Sequence, residues 1–216
     1  MRAMRTAMML VVGGALAASG CKKEEPKLAA APPAPGTPEW KIQNAMSAGP
    51  EYVAGAATVR EFVPNDTAMP TLRAGTNGWI CFTDDPRTPA NDPMCVDDEA
   101  MTWYQAFLAH QPPRLTGMAL MYALQGSQMG SVTDPYKIPP DSGQAWTDVG
   151  PAVFIVLPDA RAYRGLPTAP TPGKPWVIWA GTPYAALVVP AAAPAPVAPG
   201  APAAPGAPAP AAPARQ

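Results

Sequence analysis

The chain has 216 residues, of which 32 are Pro and 18 are Gly; 14% of it is charged and the net charge is −1. A balance this near neutrality, with no basic stripe, gives no electrostatic grip on nucleic acid. The lone histidine, His110, excludes metal centres built from several imidazoles.

The amino terminus reads in three parts. Met1 to Thr6 carries Arg2 and Arg5, and Ala7 to Ala18 is free of charge but too short to cross a bilayer as a helix. That is the layout of a signal peptide. In LAASGCKKEE the small residues Ala18, Ser19 and Gly20 run directly into Cys21. This resembles the lipobox of bacterial lipoprotein signal peptides, with Ala18 where that family more often has Leu. The resemblance implies cleavage before Cys21, diacylglycerol on its thiol and an acylated new amino terminus, so the expected partner is a membrane reached through the lipid on Cys21. Several acyl chains anchor stably where one binds only marginally. In the lipoprotein family an Asp after the lipid cysteine retains the protein in the inner membrane. Lys22 follows here, which implies the outer membrane, facing the periplasm. The alternative is an ordinary secretory signal with Cys21 as a free thiol, a liability in an oxidising compartment.

PKLAAAPPAPGTP, Pro26 to Pro38, and the closing stretch from Pro190 to Gln216 are Ala/Pro-rich and lack the large apolar residues a core needs. They read as extended or disordered tethers. At about 3.1 Å per residue the closing stretch reaches on the order of 80 Å. The expected plan is a signal peptide over 1–20, a lipid anchor and linker over 21–38, one globular domain over 39–189 and a tail over 190–216.

Within that domain PEWKIQNAMSAG spaces Trp40, Ala45 and Met46 like a helical face and is stopped by Gly49-Pro50. Strands are expected near Ala57 to Val63, Thr71 to Thr76 and Trp79 to Thr83, the last two joined by a hairpin at Asn77-Gly78. The acids Asp97, Asp98 and Glu99 precede AMTWYQAFLAH, where Met101, Tyr104, Phe107 and Leu108 form a stripe; this predicts a second helix. LTGMALMYALQG, AVFIVLP, PWVIWAG and PYAALVVP are short apolar runs bounded by Gly and Pro and read as buried strands, the first with some helical character. The polar stretch between Gly126 and Gly150 is a long loop, of the kind that is functional or disordered. The expected fold is α+β: an antiparallel or mixed sheet of about six or seven strands with two helices, flanked by disordered Ala/Pro-rich segments.

Cys81 and Cys95 remain once Cys21 is taken as the anchor, and an even pair in an exported domain reads as a disulfide. Two reduced buried thiols, or a thiol metal site short of partners, are the alternatives. The enclosed stretch is acidic, and Asp84, Asp85, Asn91, Asp92, Asp97, Asp98 and Glu99 offer oxygen ligands of the kind calcium takes. No EF-hand spacing is present and three prolines interrupt the run, so Asp84, Asp92 and Asp97 are read as turn and cap residues, with no metal expected.

No nucleophile elbow, phosphate-binding glycine loop, dinucleotide fingerprint or zinc helix appears, so no catalytic residue and no cofactor is assigned. His110 closes the second helix, where an imidazole suits the helix carbonyls. Asp134 or Asp148 could meet Asp92 as a carboxylate pair. Trp103, Tyr136 and Trp146, with Asp134 and Asp148, are the candidate ligand groove; core packing is the plainer use of such rings. GTNGWICF, NDPMC, TDPY and WAGTPYAALVVP resemble pieces of a group of uncharacterised exported bacterial proteins, a resemblance that implies no activity. The expectation is a lipid-anchored cell-envelope protein with a binding or structural role, its partner an envelope polymer or protein. An envelope hydrolase using carboxylates or His110 is the alternative.

Overall fold

A computed structural model of the chain describes residues 32–66 and 68–191. Cys21, the signal segment before it, the first part of the linker and the tail beyond Ala191 lie outside the described residues.

Helix α1 (Pro38–Met46) begins where its caps place it. The Thr37 side chain accepts from Trp40 N at 3.3 Å, and Pro38 sits in the first turn, where its missing N–H has no helical partner to lose. A single turn, α2 (Glu51–Ala54), follows the Gly49-Pro50 break. Then come β1 (Thr58–Arg60), β2 (Thr71–Arg73), β3 (Ile80–Phe82) and β4 (Met94–Val96). Helix α3 (Asp98–Leu108) is capped by Asp97, which accepts from Ala100 N at 2.8 Å and, through its other oxygen, from Leu120 N at 3.0 Å. One carboxylate thus starts the helix and ties it to the next strand, β5 (Ala119–Ala123). The remaining strands are β6 (Gln128–Met129), β7 (Thr147–Asp148), β8 (Ala152–Val156), β9 (Trp176–Ile178) and β10 (Ala186–Pro190), with one 3-10 turn at Ala160–Tyr163.

Eight of these strands make one mixed sheet, in the order β2-β1-β3-β4-β5-β8-β10-β9, while β6 and β7 pair separately. The α+β class and the mixed sheet hold, but the strand number of six or seven is corrected to eight. All seven expected strands are present, including the ambiguous GMALMYAL run. The eighth is β4, whose three residues Met94, Cys95 and Val96 lie between acids and carry too short an apolar signal to read.

The Asn77-Gly78 hairpin is also corrected. β2 pairs antiparallel with β1, and β1 pairs parallel with β3, so β2 and β3 are not neighbours. Gly78 has φ 79°, but Asn77 uses its side chain instead: Nδ2 donates to Val53 O at 2.7 Å and Oδ1 accepts from Trp79 N at 3.1 Å. The segment before it runs so close to β1 that a Cβ on Gly75 would lie 2.1 Å from Thr58 N.

Alternation along the strands sends two residue sets to two faces. Val59, Cys81 and Cys95 pack with Ala45, Ala48 and Val53 beneath α1 and α2. Phe82, Val96, Met121 and Phe154 face α3, with Met121 and Phe154 opposite one another in the β5–β8 register. Cys81 and Cys95 are opposite residues of β3 and β4 and form a disulfide, S–S 2.00 Å with Cα atoms 3.9 Å apart. A Cβ on Gly49 would come 3.1 Å from Cys95 Sγ, so the turn after α1 passes directly over the bridge.

Candidate functional site: a cavity between the sheet and the central helix

Between the sheet and α3 lies a cavity of about 160 Å³. Its floor is Phe82, Met94, Val96, Met121 and Phe154 from the sheet. Its roof is Met101, Trp103, Tyr104 and Phe107 from α3. These side chains point inward because α3 turns its apolar stripe to the sheet, as its sequence period requires. The stripe differs in one member from the expected one. Trp103 is 6% exposed and central to it, whereas Leu108 is not part of this core.

One end is closed by the loop between β3 and β4. Both of its ends carry Asp-Pro, in DDP at 84–86 and NDP at 91–93, and the acids reach across the loop. Asp84 Oδ1 accepts from Asp92 N at 2.8 Å; Asp92 Oδ2 accepts from Thr88 Oγ1 at 2.9 Å and its Oδ1 from Asp85 N at 3.4 Å. The two carboxyl groups are close enough for their charges to repel, which favours a proton on one of them. Burial, and then the neighbouring Asp84, push Asp92 up to about 7, and burial raises Asp84 as well. Arg87 forks onto Asp85, with Nη2 2.7 Å from Oδ2 and Nε 3.0 Å from Oδ1, and its guanidinium carbon lies 5.6 Å from the centroid of the Phe62 ring. Arg87, the only cation of this loop, is therefore committed to Asp85, and the three acids outnumber it.

The other side is covered by the long loop after β5. Ser127, Gln128, Met129, Pro135 and Ile138 line the cavity there. Three contacts strap the loop down: Trp179 N donates to Val132 O at 2.7 Å, Trp179 Nε1 donates to Ser131 O at 3.0 Å, and Tyr136 Oη donates to Phe107 O at 3.0 Å. The rings of this side form a column. Trp103 stacks between Trp179 (6.1 Å) and Phe107 (5.7 Å), Phe107 on Tyr136 (4.7 Å), and Tyr136 on His110 (4.2 Å).

Of the five groove residues read from sequence, Trp103 lines the cavity and the others stand outside it. Tyr136 is 39% exposed and serves as the strap. Asp134 and Asp148 are exposed and cap turns, accepting from Tyr136 N and Gly150 N at 2.9 Å each. Trp146 is half-buried beside β7. Neither Asp134 nor Asp148 pairs with Asp92; Asp84 does. His110 is exposed on the surface of the ring column and does not line the cavity. Among the described residues no three His, Cys, Asp or Glu side chains are grouped to hold a metal ion.

Five buried side-chain polar atoms lack a hydrogen-bond partner among the described residues, and three of them belong to cavity-lining residues: Trp103 Nε1, Tyr104 Oη and Gln128 Oε1. Native interiors satisfy the large majority of such atoms, so these three mark an incompletely satisfied core. No known protein family, no curated protein and no solved structure matches this chain.

Proposed function

We propose that this is a lipid-anchored protein of the bacterial cell envelope whose domain binds a small ligand between the sheet and α3. The observation that supports the binding half is the largely apolar cavity with Arg87, Thr88 and Asp92 among its lining, since an apolar chamber with a few polar groups is the usual form of a ligand site. The anchor half rests on the LAASGCKKEE stretch alone. Among the described residues no helix is long and apolar enough to cross a membrane.

A hydrolytic role would draw on the Asp84–Asp92 pair, but the loop's own N–H and hydroxyl groups already occupy its oxygens. Binding is therefore the better reading. The anchor is tested by intact mass after membrane extraction of the wild type and of Cys21→Ser. A triacylated chain beginning at Cys21, lost in the variant, is the expected result; a chain cut elsewhere and released without lipid would overturn the envelope assignment.

A further inference from the structure

We infer that the cavity takes an organic ammonium ion, a cation with an apolar body about the size of one ring, whose charged end lies against Asp92. The inference rests on the ligand-site reading above and adds size, charge and counter-ion to it.

Size and body follow from the chamber. A cavity of about 160 Å³ is close to the roughly 150 Å³ of an apolar chamber that takes up benzene. Its walls are mostly rings and thioethers, and Met94, Met101, Met121 and Met129 are side chains that repack readily around a guest.

Charge follows from the end closed by the loop between β3 and β4. Asp85 and Asp92 line the cavity there together with Arg87 and Thr88. Arg87 is forked onto Asp85, and among the described residues no cation pairs with Asp84 or Asp92. Three carboxyl groups thus stand against one guanidinium, and even with a proton on one of them a negative charge is left over. Asp92 is only 9% exposed, so water does little to screen it. The groups that reach its oxygens, Thr88 Oγ1 and the backbone N–H groups of Asp85 and Gln128, are uncharged. They satisfy lone pairs without neutralising the carboxylate. A carboxylate has about four acceptor sites, which leaves room for an N–H from a guest.

Rings flank the same end. The Arg87 guanidinium carbon lies 5.6 Å from the centroid of Phe62, whose ring is 6.3 Å from Phe82 and 6.4 Å from Tyr104. Ring faces attract cations, more so away from water. One chamber therefore offers surfaces for both halves of an organic ammonium ion. A neutral guest brings no charge to answer the acids, and a carboxylate adds to their repulsion.

The guest and a proton compete for Asp92. Burial, and then Asp84, push this carboxyl up to about 7, so near pH 6 it holds a proton that an ammonium ion would displace. The titratable groups around it are Asp84, Asp85 and Arg87 of its own loop and Tyr104 of α3, while the loop after β5 offers it only the Gln128 backbone.

The test uses the full chain labelled at its methionine methyl groups and titrated at about pH 6 with benzylammonium, benzyl alcohol and benzoate, following methyl shifts by NMR. Benzylammonium is expected to shift the methyls of the four cavity methionines and to bind at least about tenfold tighter than benzyl alcohol, as an ion pair out of water should. Benzoate is expected to leave the spectrum unchanged. In weakly buffered solution with an indicator dye, benzylammonium binding should release close to one proton per chain. Asp92→Asn should bring the two affinities to within about twofold of each other. Equal binding of benzylammonium and benzyl alcohol to the wild type, or tighter binding of benzoate, would overturn the charge assignment while leaving the cavity as a ligand site. Benzylammonium binding without proton release, or with its preference intact in Asp92→Asn, would overturn Asp92 as the counter-ion. No shift with any of the three would overturn the ligand site itself.

Discussion

The two faces of the sheet are packed on opposite plans. Beneath α1 and α2 the filling is small and complete: Ala45, Ala48, Ala57 and Val59 at 0% exposure, laid over the Cys81–Cys95 bridge. Beneath α3 the filling is large and unfinished. Tryptophan, phenylalanine and methionine side chains leave about 160 Å³ between them, and three of the lining residues hold a buried polar atom without a partner. A face that only holds the fold can close down to close-packed density. A face kept open gives up packing for room, and the stability it forgoes has to come from elsewhere, here the bridged side.

The largest expected effect is therefore on the closed face. Replacing Cys81 and Cys95 together by Ala should lower stability by roughly 3 kcal/mol in urea unfolding, as expected for a bridge spanning 14 residues. A loss under about 1 kcal/mol would mean that the bridge is not what compensates for the open side.

The second effect tests the polar end of the open face. Asp92 holds a proton in the folded state up to about 7, against an ordinary 3.8. Its contribution to stability is then fully present below about pH 4 and is lost as pH rises through 7, because the folded state binds more protons than the unfolded one across that window. Asp84, Asp85 and Arg87 are the charged groups packed around it, and Asp84, also raised, adds a slope of the same sign. Stability measured from pH 4 to pH 8 should fall by about 4 kcal/mol in the wild type, the worth of a shift from 3.8 to about 7, and by distinctly less in Asp92→Asn. Parallel curves would remove the shared proton from the account.

A smaller effect compares the faces directly. Val59→Ala, at a site with no exposure and close-packed neighbours, should cost about 2 kcal/mol. Met94→Ala removes more atoms from the cavity wall but enlarges a space that already exists, so about 1 kcal/mol or less is expected. Equal costs, or the reverse order, would show that the two faces are equally well packed.

Much of this arrangement was legible in the sequence. Short apolar runs between Gly and Pro mark four of the eight strands in the main sheet, the segments around Asn77-Gly78 mark three more, and the paired cysteines mark the bridge. β4 was missed because its pairing comes from partners on both sides and from Cys95 rather than from its own three residues. The Asn77-Gly78 signal misled because turn chemistry is local, whereas the parallel β1–β3 pairing that separates β2 from β3 is a long-range choice. At the site, Trp103 was identifiable from its ring and its place in the helix. The Asp84–Asp92 pair had a signal, the Asp-Pro repeated at both ends of one loop, but turn chemistry explained each Asp alone. Gln128 had none, since a polar residue in a polar loop carries no mark of burial.

The smallest expected effect has the opposite sign to the rest. Tyr104 Oη is buried without a partner, so in the free protein it bears a desolvation cost that no hydrogen bond returns. Tyr104→Phe keeps the ring and its contacts with Phe107 and Phe62 and removes only that oxygen. The variant should match the wild type or exceed it in stability by up to about 1 kcal/mol, measured by thermal unfolding without ligand. If Tyr104→Phe instead lost more than about 1 kcal/mol, the hydroxyl would have a partner within the protein, and the open face would be an ordinary core that happens to be loosely filled.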